Sequence, residues 1–231
     1  MIISHQHQFI FVRVPKTAST SVAIELSKMC GLEDVITPIV FKQDPEGEKA
    51  GFKGPQNHRR RLWQWQTDDW FRFLILHKNP KNFKHATAAR IQKYIGKTIW
   101  DSYYKFCVVR NPFDRAISLY YWHLTKHAND RQDLNRFILG LSANKLCTWH
   151  RYTINNKIAM DMVCHYENLQ IDLDAAAAKI GIPPLILSNA KGAFRKDRRP
   201  YSQLINPEAR EHIEHQCSTE IEAFNYQWVS H

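Results

Sequence analysis

Short apolar runs alternating with stretches of helical spacing predict an α/β fold: a single domain spanning residues 1–231, with a mainly parallel central sheet flanked by helices. Three observations carry this. Phe9-Ile10-Phe11-Val12-Arg13-Val14 and Lys105-Phe106-Cys107-Val108-Val109-Arg110 are β-branched or aromatic runs of strand length. Each passes through a short loop into a segment of helical spacing. The 231 residues, 44% apolar, 12% aromatic and 23% charged, suit one large packed domain and exclude a wholly disordered chain.

The first strand stops at Pro15, and the spacing of Val22, Leu26 and Met29 predicts a helix from about Thr20 to Cys30, ended by Gly31. Residues 42–60, with three glycines and the run His58-Arg59-Arg60-Arg61 at their end, read as a long loop. Trp70 to His77 is expected to be a second strand and Ala86 to Ile95 a helix ending at Gly96. After the strand ending at Arg110, Asn111-Pro112 supplies an N-cap and a proline at the first helical position, so a helix is expected to about Leu124. A short helix follows at Leu134–Leu139. A hairpin is expected about Asn155-Asn156, joining Thr153–Ile154 to Lys157–Val163. The last helices are expected at Leu173–Ile180, and at Pro207–Phe224 behind Asn206.

Thirty-two Lys and Arg against twenty-two Asp and Glu leave a net charge of +10, which predicts an anionic partner: nucleic acid, anionic lipid, a phosphorylated cofactor or an acidic polymer. The tightest apolar runs, such as Phe73-Leu74-Ile75-Leu76, are strand-sized, and the first residues carry no basic segment followed by an apolar core. A soluble, intracellular chain without a membrane span is expected. The five cysteines are odd in number and in no C-x-x-C pair, which argues for reduced, mostly buried thiols over disulfides or a zinc site. The pair His5-x-His7 is too loose for a ligand set.

In open α/β sheets ligands sit at the carboxyl ends of strands, and two strand-to-helix turns here are polar at that point. The first is Pro15-Lys16-Thr17-Ala18-Ser19-Thr20-Ser21. A helix start offers unpaired N–H groups and a favourable dipole, and one lysine with four hydroxyls matches phosphate-type oxygens. The turn lacks the glycines of a Walker loop, and its lysine stands at the beginning. By itself such a turn is more often explained by plain N-capping, here through Ser19 or Thr20. In the second turn, Arg110 should emerge at the sheet edge, with Ser118 one helical turn beyond Asp114, so that arginine and hydroxyl could bind a second phosphate. A purely structural tie by Arg110 fits as well. Asp114 and Arg115 read as helix-start electrostatics and a surface ion pair.

Taken as a pair, the two turns resemble the sulfotransferases that use 3′-phosphoadenosine 5′-phosphosulfate (PAPS), in particular their carbohydrate branch. Residues 9–21 are similar to the 5′-phosphosulfate loop of that family and residues 106–120 to its 3′-phosphate motif, in the family's order and separation. Weaker similarity reaches Lys84–Ala88, Tyr166–Leu169 and Glu220–Tyr226. One departure is Ser19, where glycine is usual; a serine there would crowd the loop or add a hydroxyl contact.

The resemblance implies a P-loop-like sulfotransferase fold and in-line transfer of a sulfuryl group from PAPS to an acceptor hydroxyl, a carbohydrate first of all, without a metal. It places Lys16 at the bridging oxygen of the leaving 5′-phosphate. Thr17, Ala18, Ser19, Thr20 and Ser21 form the 5′ cradle, and Arg110 and Ser118 hold the 3′-phosphate. A base near neutral pH is needed, and His85 is singled out because it begins the helix in the family-like Lys84–Ala88 segment; His77 and Glu167 are the alternatives. Arg198 and Arg199 belong to a basic run that reads as a solvated loop, but late basic loops of the family close over the cofactor. Trp63, Trp65 and Trp70, near Arg59–Arg61, could stack on sugar rings, although core packing is the commoner reason for tryptophans, above all for Trp70 at a strand start.

Two other readings stand beside this one. A nucleotide kinase or NTPase shares the strand–loop–helix grip but would need the missing glycines and a magnesium ligand. The charge and the Trp–Arg interleaving permit a nucleic-acid-binding module, with no RRM, KH or zinc-finger pattern to accompany it. The family's animal secretory members usually carry an N-terminal anchor, absent here, so a cytoplasmic enzyme is expected unless the chain is a fragment.

Overall fold

The structure, a computed structural model, describes residues 1–38, 51–58, 70, 74–75, 85–127, 132–187 and 197–229. Its strands are β1 (Ile2–Ser4), β2 (Phe9–Val12), β3 (Val35–Ile36), β4 (Tyr104–Val109), β5 (Thr153–Ile154), β6 (Lys157–Ile158) and β7 (Met162–His165). The helices whose bounds fall within the described residues, up to the end of β4, are α1 (Ser19–Lys28), α2 (Ala88–Ile95) and α3 (Lys97–Ser102). Beyond it come α4 (Pro112–Lys126), α5 (Leu134–Leu139), α6 (Ala143–Leu146), α7 (Trp149–Tyr152), α8 (Leu169–Ile180), α9 (Tyr201–Leu204), α10 (Pro207–Gln216) and α11 (Ser218–Ala223).

The main sheet has the order β3-β1-β2-β4-β7. Its β2–β4 and β4–β7 pairings are parallel, but β1 runs antiparallel to both β2 and β3. The expected mainly parallel sheet is therefore a mixed one. The cause is β1, a three-residue strand absent from the sequence reading, which forms a hairpin with β2. Asp34 secures that hairpin from a distance: its carboxylate accepts from His5 N, Gln6 N, Gly31 N and Ser4 Oγ. Burial pushes this carboxyl up, yet those hydrogen bonds outweigh it and hold the group below its usual range.

Alternation along the strands makes two cores. Phe9, Phe11, Phe106 and Val108 face α1 and α8, meeting Val22, Leu26, Leu173 and Ala177. Ile10, Val12, Cys107 and Val109 face the other way, onto Ile91, Trp100 and Tyr152. Each fully buried phenylalanine or leucine here contributes about 1.5–3 kcal/mol. A third cluster packs the helices among themselves, with Phe113, Ile117, Phe137 and Ile213 at its centre.

α4 begins as the sequence predicts: the Asn111 side chain accepts from Phe113 N and Pro112 takes the first helical position. α5 also falls where expected. Three expectations need correction. The hairpin about Asn155 and Asn156, both at positive φ, ends at Ile158; residues 162–165 form a separate strand parallel to β4. Asp161 makes that switch, its N–H on the Lys105 carbonyl and its carboxylate accepting from Lys105 N. The single helix expected over Pro207–Phe224 breaks at Cys217, whose backbone leaves the helical region and turns Glu220 into the interior. Of the strand expected over Trp70–His77, Trp70 and Leu74 are helical, and the rest lies outside the described residues save Ile75, in a turn.

Candidate active site

β2 and β4 are parallel neighbours, so their carboxyl ends, and the turns that follow, lie side by side. One contact states this directly: the Arg110 NH1 group donates to the Lys16 carbonyl at 3.3 Å. The two turns singled out in the sequence are therefore in contact.

In the first turn, Lys16 and Ala18 both have left-handed backbone, φ 67° and 57°. The Thr17 and Ser19 hydroxyls donate inward to the Val14 carbonyl, at 3.0 and 2.6 Å, and both residues are buried. Those two protons thus brace the loop. The N-cap of α1 is Ala18, without any side-chain cap, and no acidic residue stands in the first turn. Capping by Ser19 or Thr20, the plain explanation of the motif, is therefore absent, and the first-turn N–H groups keep the character of an anion site. The glycine-like position is Ala18, while Ser19 neither crowds the loop nor faces outward.

Alanine in left-handed backbone costs about 1–2 kcal/mol, and glycine loses roughly 0.5–1 kcal/mol through unfolded-state entropy. Ala18→Gly is accordingly expected to stabilise the protein by about 0.5 kcal/mol in chemical denaturation, where an interior helical Ala→Gly would destabilise.

Behind the loop lies a residue the sequence reading passed over. Arg13 is 1% exposed; it donates from NH2 to Thr20 Oγ1 at 3.2 Å and from NH1 to the Pro38 carbonyl at 3.1 Å, while its Nε has no hydrogen-bond partner. Burial lowers its pKa to about 10, so it remains a cation at neutral pH. The signal was present in the sequence: a guanidinium inside an otherwise apolar strand.

In the second turn, Arg110 Nε donates to Asp114 Oδ2 at 2.8 Å, NH2 pairs with the same oxygen, and the guanidinium stacks on Tyr166, 4.0 Å from the ring centroid. Asp114 and the Lys16 carbonyl engage three of the five N–H groups that a guanidinium carries. Ser118, half-buried, follows one turn after Asp114 on α4. Arg115 departs from its expected surface ion pair. It is buried, bonded to the Leu146 carbonyl and 3.7 Å from Glu220.

His85 sits just before α2, half-buried, with Nδ1 3.3 Å from the Arg13 carbonyl; its own carbonyl accepts from Arg151 NH1. A proton on Nδ1 donated to that carbonyl leaves Nε2 as the basic nitrogen. Glu167 instead accepts from Asn111 N at 2.8 Å and so braces the second turn. His77 lies outside the described residues, as do Trp63, Trp65 and Arg59–Arg61; Trp70 is exposed. Among the described residues, Trp122 reaches the site: it is 41% exposed, with its ring centroid 5.9 Å from Lys16 Nζ. Arg198 and Arg199 are exposed, and Arg199 pairs with Asp197. Two residues on, Tyr201 stacks on Phe113 at the start of α4, which brings this loop to the second turn.

The sulfotransferase family profile matches residues 1–227, and the chain belongs to that family. An uncharacterized protein of Archaeoglobus fulgidus is 29% identical over 99 residues, covering 42% of this chain and 82% of that protein. No solved structure matches the chain. Among the described residues, no helix is long and apolar enough to cross a membrane.

Proposed function

We propose that the protein transfers the sulfuryl group of PAPS to a hydroxyl of a carbohydrate acceptor. The observation that carries this is the Arg110–Lys16 contact, which sets two anion-suited turns side by side as a donor with phosphates at both ends requires. The residues fit such a donor: an uncapped helix start, the Arg13 guanidinium behind it, and Arg110 with Ser118 at the neighbouring turn.

When bound, the donor supplies an activated sulfuryl group whose 5′-phosphate departs as the acceptor oxygen attacks in line. Lys16 stabilises the negative charge that grows on the departing oxygen, and its ammonium matters most while the bond breaks. Thr20, Ser21 and the N–H groups of the first turn of α1 hold the 5′ end, with Thr17, Ala18 and Ser19 shaping the loop beneath it. Arg110 and Ser118 take the 3′-phosphate, and Arg198 and Arg199 close over the donor from the adjoining loop. His85 Nε2 accepts the proton of the attacking hydroxyl. Trp122 offers an apolar ring beside the Lys16 ammonium, a surface on which a sugar ring stacks.

Incubation with radiolabelled PAPS against glycans, lipids and small phenols tests the proposal. Label on a glycan is the expected result; failure to label any acceptor, with no thermal shift from adenosine 3′,5′-bisphosphate, would overturn it. Arg110→Ala is expected to raise the dissociation constant of that bisphosphate by about 10- to 100-fold, with a smaller loss in turnover at saturation. Calorimetry and initial rates separate the two.

A further inference from the structure

We infer that Arg13 is the built-in counter-charge of the 5′ anion site: a buried guanidinium held against the first turn of α1, whose opposite charge arrives only with the ligand. The inference rests on reading the loop as the donor's cradle. Its support, however, is an imbalance within the chain.

At the neighbouring turn, Arg110 already has Asp114 as an ion-pair partner. Arg13 has no carboxylate among the described residues, only a hydroxyl and a carbonyl, and its Nε is unbonded. A buried unpaired charge destabilises a fold by several kcal/mol unless something compensates it, and such groups are rare outside functional sites. The helix start adds partial positive charge on the same side, and α1 brings no acidic residue into its first turn. Every element of this corner is thus arranged for an anion, and the Thr20 hydroxyl, accepting from Arg13, links the guanidinium to the cradle. Arg13 acts through Thr20 and through its field, as a positioning residue. In the low dielectric behind the loop its charge is screened less than that of an exposed lysine.

The test compares Arg13→Lys, which keeps the charge, with Arg13→Gln, which keeps a donor and removes it. Titration calorimetry with adenosine 3′,5′-bisphosphate, and separately with inorganic sulfate, reads affinity; thermal unfolding without ligand reads the fold. R13Q is expected to bind the bisphosphate about 10- to 100-fold more weakly, and R13K within about threefold of wild type. Without ligand, R13Q should melt no lower than wild type, because it loses a buried uncompensated charge. A residue that merely held the loop would give the reverse: R13Q melting lower, with any loss of affinity shared by R13K. That outcome, or equal binding by R13Q and wild type, overturns the inference. If wild type binds sulfate but not the bisphosphate, the donor reading fails and the same comparison is decided with sulfate. If it binds neither, both readings fall.

Discussion

Lys16→Ala is expected to lower sulfuryl transfer by about 10²–10³-fold, while the affinity for adenosine 3′,5′-bisphosphate stays within about threefold of wild type. The asymmetry follows from where charge moves. On the proposed reading the ground-state 5′-phosphate is held by the first turn of α1 and by the Arg13 charge behind it, so one ammonium more or less changes binding little. In the transition state charge collects on the bridging oxygen, and there the Thr17 and Ser19 hydroxyls cannot replace a fixed ammonium, since both already donate to Val14. Lys16→Arg should recover only part of the rate, because the wider guanidinium must share the space against Trp122. Both variants keep a side chain at the same left-handed residue, so they add no new backbone strain. Initial rates at saturating donor, with calorimetry on the same preparations, decide the matter; wild-type turnover in Lys16→Ala would remove the lysine from the chemistry.

The two turns were legible because the residues that define them are consecutive. A strand of aromatic and β-branched residues, a stop at Pro15 and an Asn-Pro start at α4 are local signals, and local signals survive in a sequence. Their adjacency rested on resemblance, and the parallel β2–β4 pairing gave it a structural basis. What remained illegible depends on partners far along the chain. β1 is only three residues long, and its hairpin is held by Asp34, some thirty positions away. Arg115 read as a surface charge because nothing near it in the sequence says that Glu220 will meet it in the interior. Arg13 was different, since its place in a buried strand was visible; the family motif simply absorbed it. Trp122 has no arginine beside it in the sequence to mark it; only the helical spacing from Asp114 through Ser118 to Trp122 sets it on a face of α4 toward the first turn.

Glu220→Ala should unfold the protein far more readily, by about 3–5 kcal/mol, or a melting temperature lower by roughly 10 °C. Glu220 is fully buried, and its carboxylate accepts from Thr148 N, Thr148 Oγ1 and Tyr152 OH at 3.1, 2.6 and 2.7 Å. The Cys147 thiol approaches the same group, and Arg115 supplies the only cation shown against it among the described residues. Cys147, Cys217 and Glu220 bring potential ligand atoms within 4.8 Å of one another, but the Arg115 guanidinium 3.7 Å from the carboxylate disfavours a metal ion there. The cluster instead fastens the break between α10 and α11 to α7 beneath the sheet. Removing the carboxylate strands two hydroxyls, an N–H and a guanidinium at once, which is why the loss exceeds that of a surface ion pair. A reversal of sign separates charge from packing. In wild type, Arg115→Met should destabilise, because it leaves Glu220 charged and buried without its cation. On a Glu220→Gln background the same substitution should stabilise, because it removes the cation that has lost its partner. Denaturant unfolding of the four proteins measures the coupling, and an Arg115→Met effect of the same sign in both backgrounds would mean that the pair contributes through shape alone.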